Sequence, residues 1–102
     1  MRHKYEIKAT CYDKRGRVIS VGYNSYTRTH PVQAHHAKQV GLEEKQFLHA
    51  EIHALLKARD RQVHKIKVER YSKKGLPLNA APCPVCQHAI KTWGVKYVEH
   101  TI

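Results

Sequence analysis

Carboxylates are scarce in this chain. Eight Asp and Glu stand against nineteen Lys and Arg over 102 residues, a formal net charge of +11 that is spread along the sequence without a basic tail. Such a surface carries a long-range field that favours phosphate-bearing partners. Cysteine is scarce too, and three residues cannot make a disulfide framework. Cys11 stands alone in a strand-like run, as expected of a free buried thiol in a reducing compartment. No apolar run approaches the length of a membrane helix, and Met1-Arg2-His3-Lys4-Tyr5-Glu6 lacks the apolar core of a secretory signal, so a cytoplasmic chain with no membrane partner is expected. Aromatics are few, with one Trp and one Phe beside six Tyr. Trp93 reads as core, and Tyr26 and Tyr71 are better placed for stacking.

Two short pieces stand out from this background: His49-Ala50-Glu51, and Pro82-Cys83-Pro84-Val85-Cys86 about thirty residues later. A Cys-x-x-Cys pair joined by one distant histidine supplies three ligands to Zn²⁺ and leaves a tetrahedral ion one open position. An open position marks a catalytic zinc, because water held there is acidified towards neutral pH. A carboxylate two residues beyond the histidine, itself not a ligand, can take that proton and pass it on. His53, one turn after His49, raises a rival His-x-x-x-His reading of metalloprotease type. That motif needs glutamate directly after the first histidine, where this chain has Ala50.

The spacing H-x-E followed by P-C-x-x-C resembles the zinc-dependent cytidine/deoxycytidylate deaminase superfamily, which also contains adenosine, guanine and polynucleotide cytosine deaminases. The resemblance puts His49, Cys83 and Cys86 on the metal-ligand positions and Glu51 on the proton shuttle. It implies hydrolysis of an amino group from a nucleobase, with Glu51 taking a proton from the attacking water and then delivering protons to the ring nitrogen and the departing ammonia. Ala50 is small enough to leave room for a flat ring, and its N–H is placed to hold the base carbonyl. An asparagine at the place of Asn24 commonly contacts sugar or base in the superfamily. Asn24 reads equally well as a strand-end turn residue.

The chain reads as one domain, residues 1–102, of α/β class. Tyr5, Ile7, Ala9 and Cys11 alternate with Lys4, Glu6, Lys8 and Thr10, which predicts a half-buried strand. Asp13 to Gly16 is a turn, and a second strand runs from Arg17 to Tyr23 with Ile19, Val21 and Tyr23 facing inward. Ser25 to Gly41, with His30, Pro31, His35 and His36, lacks a clear period. Some superfamily members hold a second metal in this region, yet no cysteine accompanies these histidines, and a solvated loop with a short helical turn is the better reading. Tyr26 and Arg28 in that loop are candidates for stacking on or steering a flanking nucleotide.

Leu42 to Arg59 is a helical region with Phe47, Leu48, Ile52, Leu55 and Leu56 as its apolar stripe. His49 and Glu51 point about 200° apart on an ideal helix, so they share a site only where the helix end faces the metal. The helix should therefore begin close to His49. A strand follows over 65–71 with Ile66 and Val68 inward, then a loop to Ala81. A helix starts near Cys83, ends at Gly94, and a last strand runs from Val95 to Ile102. The order is β-β-α-β-α-β, a mixed sheet with two motif helices, in a reduced form of the deaminase fold without the usual fifth strand and closing helix. Alternation in the early strands leaves one sheet face polar and basic, or covered by another subunit. At this length a metal or homo-oligomerisation would help the core.

Substrate assignment is less direct. Gly22-Tyr23-Asn24 followed by H-A-E looks like deoxycytidylate deaminases, whereas Pro84 inside the cysteine motif looks like the adenosine and guanine branches. The positive charge favours a pyrimidine nucleotide or single-stranded DNA or RNA, with a modest tilt to the polymer. An adenosine- or guanine-type deaminase, or a zinc-containing nucleic-acid-binding module without catalysis, are the alternatives.

Overall fold

The computed structural model describes residues 7–24, 29–41, 49–59, 61–72 and 74–101. Its elements are β1 (Ile7–Tyr12), β2 (Val18–Tyr23), α1 (Pro31–Gln39), α2 (Ala50–Ala58), β3 (Lys65–Arg70), α3 (Pro84–Trp93) and β4 (Tyr97–His100). The four strands form one mixed sheet in the order β2-β1-β3-β4. β1 is antiparallel to both neighbours, and β3 is parallel to β4. A parallel pair needs a long crossover, which α3 provides.

The hairpin forms because Asp13 closes its turn from both sides. Its carboxylate accepts the N–H of Arg15 and of Arg17, each at 2.9 Å. Those bonds, that from Arg17 first, hold its pKa below the ordinary carboxylate value. Gly16 takes the left-handed backbone at φ 80° that the turn requires.

Pairing register fixes which side chains share a face. Ala9 lies opposite Gly22 and Val68, and Cys11 lies opposite Ser20 and Ile66. This face is the buried one: Ala9, Cys11 and Ile66 are at 0% exposure and Val68 at 1%. The expected inward set on β1 and β3 therefore stands for the described residues; Tyr5 lies outside them. On β2 the expectation is corrected. Ser20 and Gly22 face the helices, Ile19 and Val21 are half-buried, and Tyr23 is exposed.

The physical reason is the closeness of α2. A Cβ added at Gly22 would lie 2.3 Å from the Ala54 nitrogen and 2.6 Å from the Ala50 carbonyl oxygen. Ser20 Oγ donates to the Ala54 carbonyl at 2.7 Å. Only a residue without a side chain, and one whose hydroxyl bonds the helix, fit under that backbone.

A second departure is α1, which occupies part of the stretch read as a solvated loop. His30 caps it, with Nδ1 accepting the Val32 N–H at 3.1 Å, and Pro31 sits where no intrahelical N–H is needed. The sequence carried that capping signal. It was masked because the inward face of α1 is polar, with Gln33 and His36 buried beside Ala37.

Ile52, Ala54 and Leu55 on α2, Val85, Ala89 and Ile90 on α3, and Val63 before β3 complete the core. Leu56 packs against its edge; Phe47 and Leu48 lie outside the described residues. No helix among the described residues covers the opposite face of the sheet, where Lys8, Tyr12, Val21, Tyr23, Lys67 and Tyr97 alternate outward.

Candidate metal centre

Two helix starts converge to build this site. His49 is the residue before α2, extended at φ −85° and ψ 154°, and its carbonyl accepts the first intrahelical bond from His53 at 2.9 Å. Because His49 stands outside the helical period, its ring and the Glu51 side chain are free to face the same space. Cys83 holds the same position before α3, at φ −71° and ψ 168°, with Pro84 in the first turn. Gln87 locks that start by donating to the Pro82 carbonyl at 2.9 Å, and Gly94 ends the helix at φ 74°.

The approach to Cys83 is tied to the sheet end. Leu78 N–H donates to the Arg70 carbonyl at 2.8 Å, Ala80 N–H to the Thr101 carbonyl at 3.1 Å, and the Thr101 hydroxyl to the Leu78 carbonyl. Thus the loop read as leading into the cysteine motif is docked along its second half.

His49 Nδ1 lies 3.1 Å from Cys86 Sγ and 3.5 Å from Cys83 Sγ. The three donor atoms all fall within 4.8 Å of one another. A tetrahedral ion with ordinary Zn–N and Zn–S bonds sets its N and S donors about 3.6 Å apart, so the cluster is already near the span it needs. One imidazole and two thiols are also a donor set that suits zinc. Among the described residues these three form the cluster, and no fourth joins them.

The ionisation of the pair fits the same use. Cys83 is held down to about 3, chiefly by the hydrogen bond from Cys86 and then by His49, against the opposing effect of burial. Cys86 is pushed up by donating that bond, by burial and by the Glu51 charge. Both sulfurs bind a metal ion as thiolates, so the lowered value at Cys83 favours binding and the raised one at Cys86 makes it release a proton. The positive ends of α2 and α3 favour the anionic form.

The profile of the cytidine and deoxycytidylate deaminase zinc-binding region matches residues 2–101. The chain belongs to this family. No curated protein matches the sequence.

Around this deaminase centre, Glu51 occupies the first turn of α2 at 6% exposure. Burial raises its pKa above the ordinary value; its own backbone N–H, the His49 charge and a hydrogen bond with Cys86 pull it back in part. Ala50 is fully buried at the helix start. Asn24 lies at the end of β2, where its Oδ1 accepts the Ile7 N–H at 2.9 Å and its N–H donates to the Ile7 carbonyl at 3.2 Å. Tyr26 and Arg28 lie outside the described residues. His53 does not join the donors; its Nδ1 accepts the Tyr23 N–H at 3.1 Å.

Of the histidines at α1, His35 and His36 are in edge-to-face contact, ring centroids 5.2 Å apart. His30 caps the helix, His35 is exposed, and His36 is buried with its Nδ1 2.6 Å from Nδ1 of His88 on α3. Trp93 packs against His36, its ring centroid 5.9 Å away, and lies half-buried against the core.

Sequence reasoning missed Gln33. This side chain on α1 is fully buried, and its Oε1 accepts the His49 N–H at 3.2 Å, which fixes the backbone that presents the imidazole. The available signal was the His30-Pro31 cap, which starts a helix two residues earlier.

Proposed function

We propose that this member of the family is a zinc-dependent hydrolytic deaminase that converts cytosine to uracil in a phosphate-bearing substrate, a pyrimidine nucleotide or single-stranded nucleic acid. One observation carries the reading: a buried carboxyl, Glu51, borders the His49 and Cys86 donors without being one of the three. A carboxyl kept out of water and off the metal can accept a proton in one step and return it in the next.

Bound by His49, Cys83 and Cys86, Zn²⁺ supplies the Lewis acidity that brings the ionisation of water into the neutral range. The Glu51 carboxylate then takes a proton from the attacking water. It delivers that proton to the ring nitrogen and a second one, taken from the hydroxyl that the water leaves on the ring carbon, to the amino nitrogen, which leaves as ammonia. One water is consumed and one ammonia released, and a C–N bond is exchanged for C–O. The N–H of Ala50 belongs to the first turn of α2, where no intrahelical acceptor exists, and it serves as donor to the base carbonyl. Asn24 is assigned to the sugar or base, and Tyr26 and Arg28 to a flanking nucleotide. The net charge of +11 supports a substrate that carries phosphate.

The test is incubation of the zinc-loaded chain with dCMP, cytidine, single-stranded DNA and single-stranded RNA in parallel, read by mass. Glu51→Gln should retain about one zinc per chain and lose activity by roughly 10² to 10⁴-fold, the range for a general acid–base group. Zinc retention with undiminished turnover would remove Glu51 from the mechanism. The same mass change of about one unit upward, NH replaced by O, on adenine or guanine bases in place of cytosine would move the chain to another branch of the family.

A further inference from the structure

Six exposed cations, Lys14, Arg15, Lys57, Arg59, Arg61 and Lys96, come from separate stretches of sequence and meet at one end of the molecule. The topology brings them there. β2, β3 and β4 all run in one direction. α2 runs back along β2, with Ala50 beside Gly22 and Ala54 bonded to Ser20, so its last turn lies beside the β1–β2 turn. His64 N–H donates to the Tyr12 carbonyl at 2.9 Å, and the His64 carbonyl accepts the N–H groups of Lys96 and Tyr97 at 3.1 Å. These bonds gather the starts of β3 and β4 at the same end. The metal centre, at the N-termini of α2 and α3, is at the other.

None of the six has a carboxylate partner among the described residues, where the ion pairs are Arg17 with Asp13 and Lys65 with Glu99. Rings are interleaved with the cations. Lys65 Nζ lies 4.8 Å from the Tyr12 ring centroid and Lys96 Nζ 5.6 Å from that of Tyr97, which is 50% exposed. A cation in the last turn of a helix offsets the negative end of its dipole, and Lys57 fits that account. It does not reach Lys14 and Arg15 in a hairpin turn, or Arg61 and Lys96 outside any helix. Like charges gathered at one pole repel one another, and a polyanion relieves that repulsion.

We propose that this basic pole is a docking surface for the backbone of single-stranded nucleic acid, separate from the metal centre. The exposed tyrosine beside the cations favours a single strand, whose unpaired bases are free to stack, over an acidic protein. Docking there requires neither zinc nor Glu51, so it stands or falls apart from the deaminase reading.

The experiment is fluorescence anisotropy of labelled oligo-dT and oligo-U, about twenty nucleotides long so as to exceed one binding site, titrated with the zinc-loaded full chain. Six contacts predict that log K falls against log salt with a slope of about −4. Arg59→Glu with Arg61→Glu, and independently Lys14→Glu with Arg15→Glu, should each weaken binding at least tenfold and flatten the slope by one to two, roughly 0.7 per lost contact. Zinc content, melting temperature and turnover of free dCMP are followed in both pairs and should be unchanged. Lys8→Glu with Lys74→Glu, placed away from the pole, should change affinity less than twofold. Equal losses in that control pair, salt-independent binding, or tighter binding to poly-glutamate or to anionic phospholipid vesicles than to either oligonucleotide would overturn the proposal.

Discussion

The two halves of the metal centre are held in different ways. The half on α2, His49 and Glu51, rests on backbone laid against backbone: Gly22 leaves no room for a Cβ beneath Ala50 and Ala54, and Ser20 ties the same turn by a hydrogen bond. The half on α3, Cys83 and Cys86, has no such seat. α3 packs against α1 and α2, and between its outer side and β4 lies an open groove of about 470 Å³ lined by Ile90, Val95, Val98 and His100. β4 is exposed along its whole length. The start of α2 is thus set by steric exclusion against the sheet, whereas the start of α3 is held by hydrogen bonds of Gln87 and of the loop before it.

The sharpest way to break this comparison is Gly22→Ala. At 2.3 Å from a backbone nitrogen the new methyl cannot be absorbed by a flexible side chain, so α2 has to move. Overpacking against backbone is expected to cost about 3 kcal/mol or more, a large share of the stability of a small domain. Urea unfolding that matches the unsubstituted protein would show that the seat is looser than its geometry.

Metal removal should give a smaller and more localised effect. Chelation withdraws a ligand that stabilises by about 2.7 kcal/mol when present at a hundred times its dissociation constant. Hydrogen exchange should rise mainly in residues 84–93, with residues 50–58 changing less. An equal rise in both helices would mean that the metal, and not Gly22, seats α2.

The smallest effect is one of pH. Burial, then the nearby His88 and His35, hold the His36 pKa below 6.5. The unfolded chain then binds a proton more readily than the folded one, so this contribution is fully present above about 6.5 and is lost as pH falls through the lowered value. His36→Phe should flatten the decline in stability from pH 7 to 5 relative to the parent chain, measured by melting. An unchanged profile would remove the His36–His88 contact from the forces holding α3.

Much of the site could be read from the chain because its chemistry is local. Cys83 and Cys86 are three apart at a helix start, and the 200° divergence of His49 and Glu51 required a helix beginning at the histidine, as it does. β1 and β3 could be read from period-two alternation over sheet residues that face a packed helix layer. β2 could not, since its inner face is chosen by the approach of α2, and small residues there outrank Ile19 and Val21 for the space. α1 was hidden because its buried face carries Gln33 and His36, polar groups whose partners, the His49 N–H and His88, lie far along the chain.

The residue order by itself determined the donor set, the carboxyl beside it and the starts of both motif helices, because these follow from spacing within a few residues. Only the folded chain decided that Gln33 supports His49, that Gly22 seats α2, and that cations scattered from Lys14 to Lys96 share one pole. Each of those depends on distances between segments remote in sequence, which strand order and register set and which no local pattern encodes.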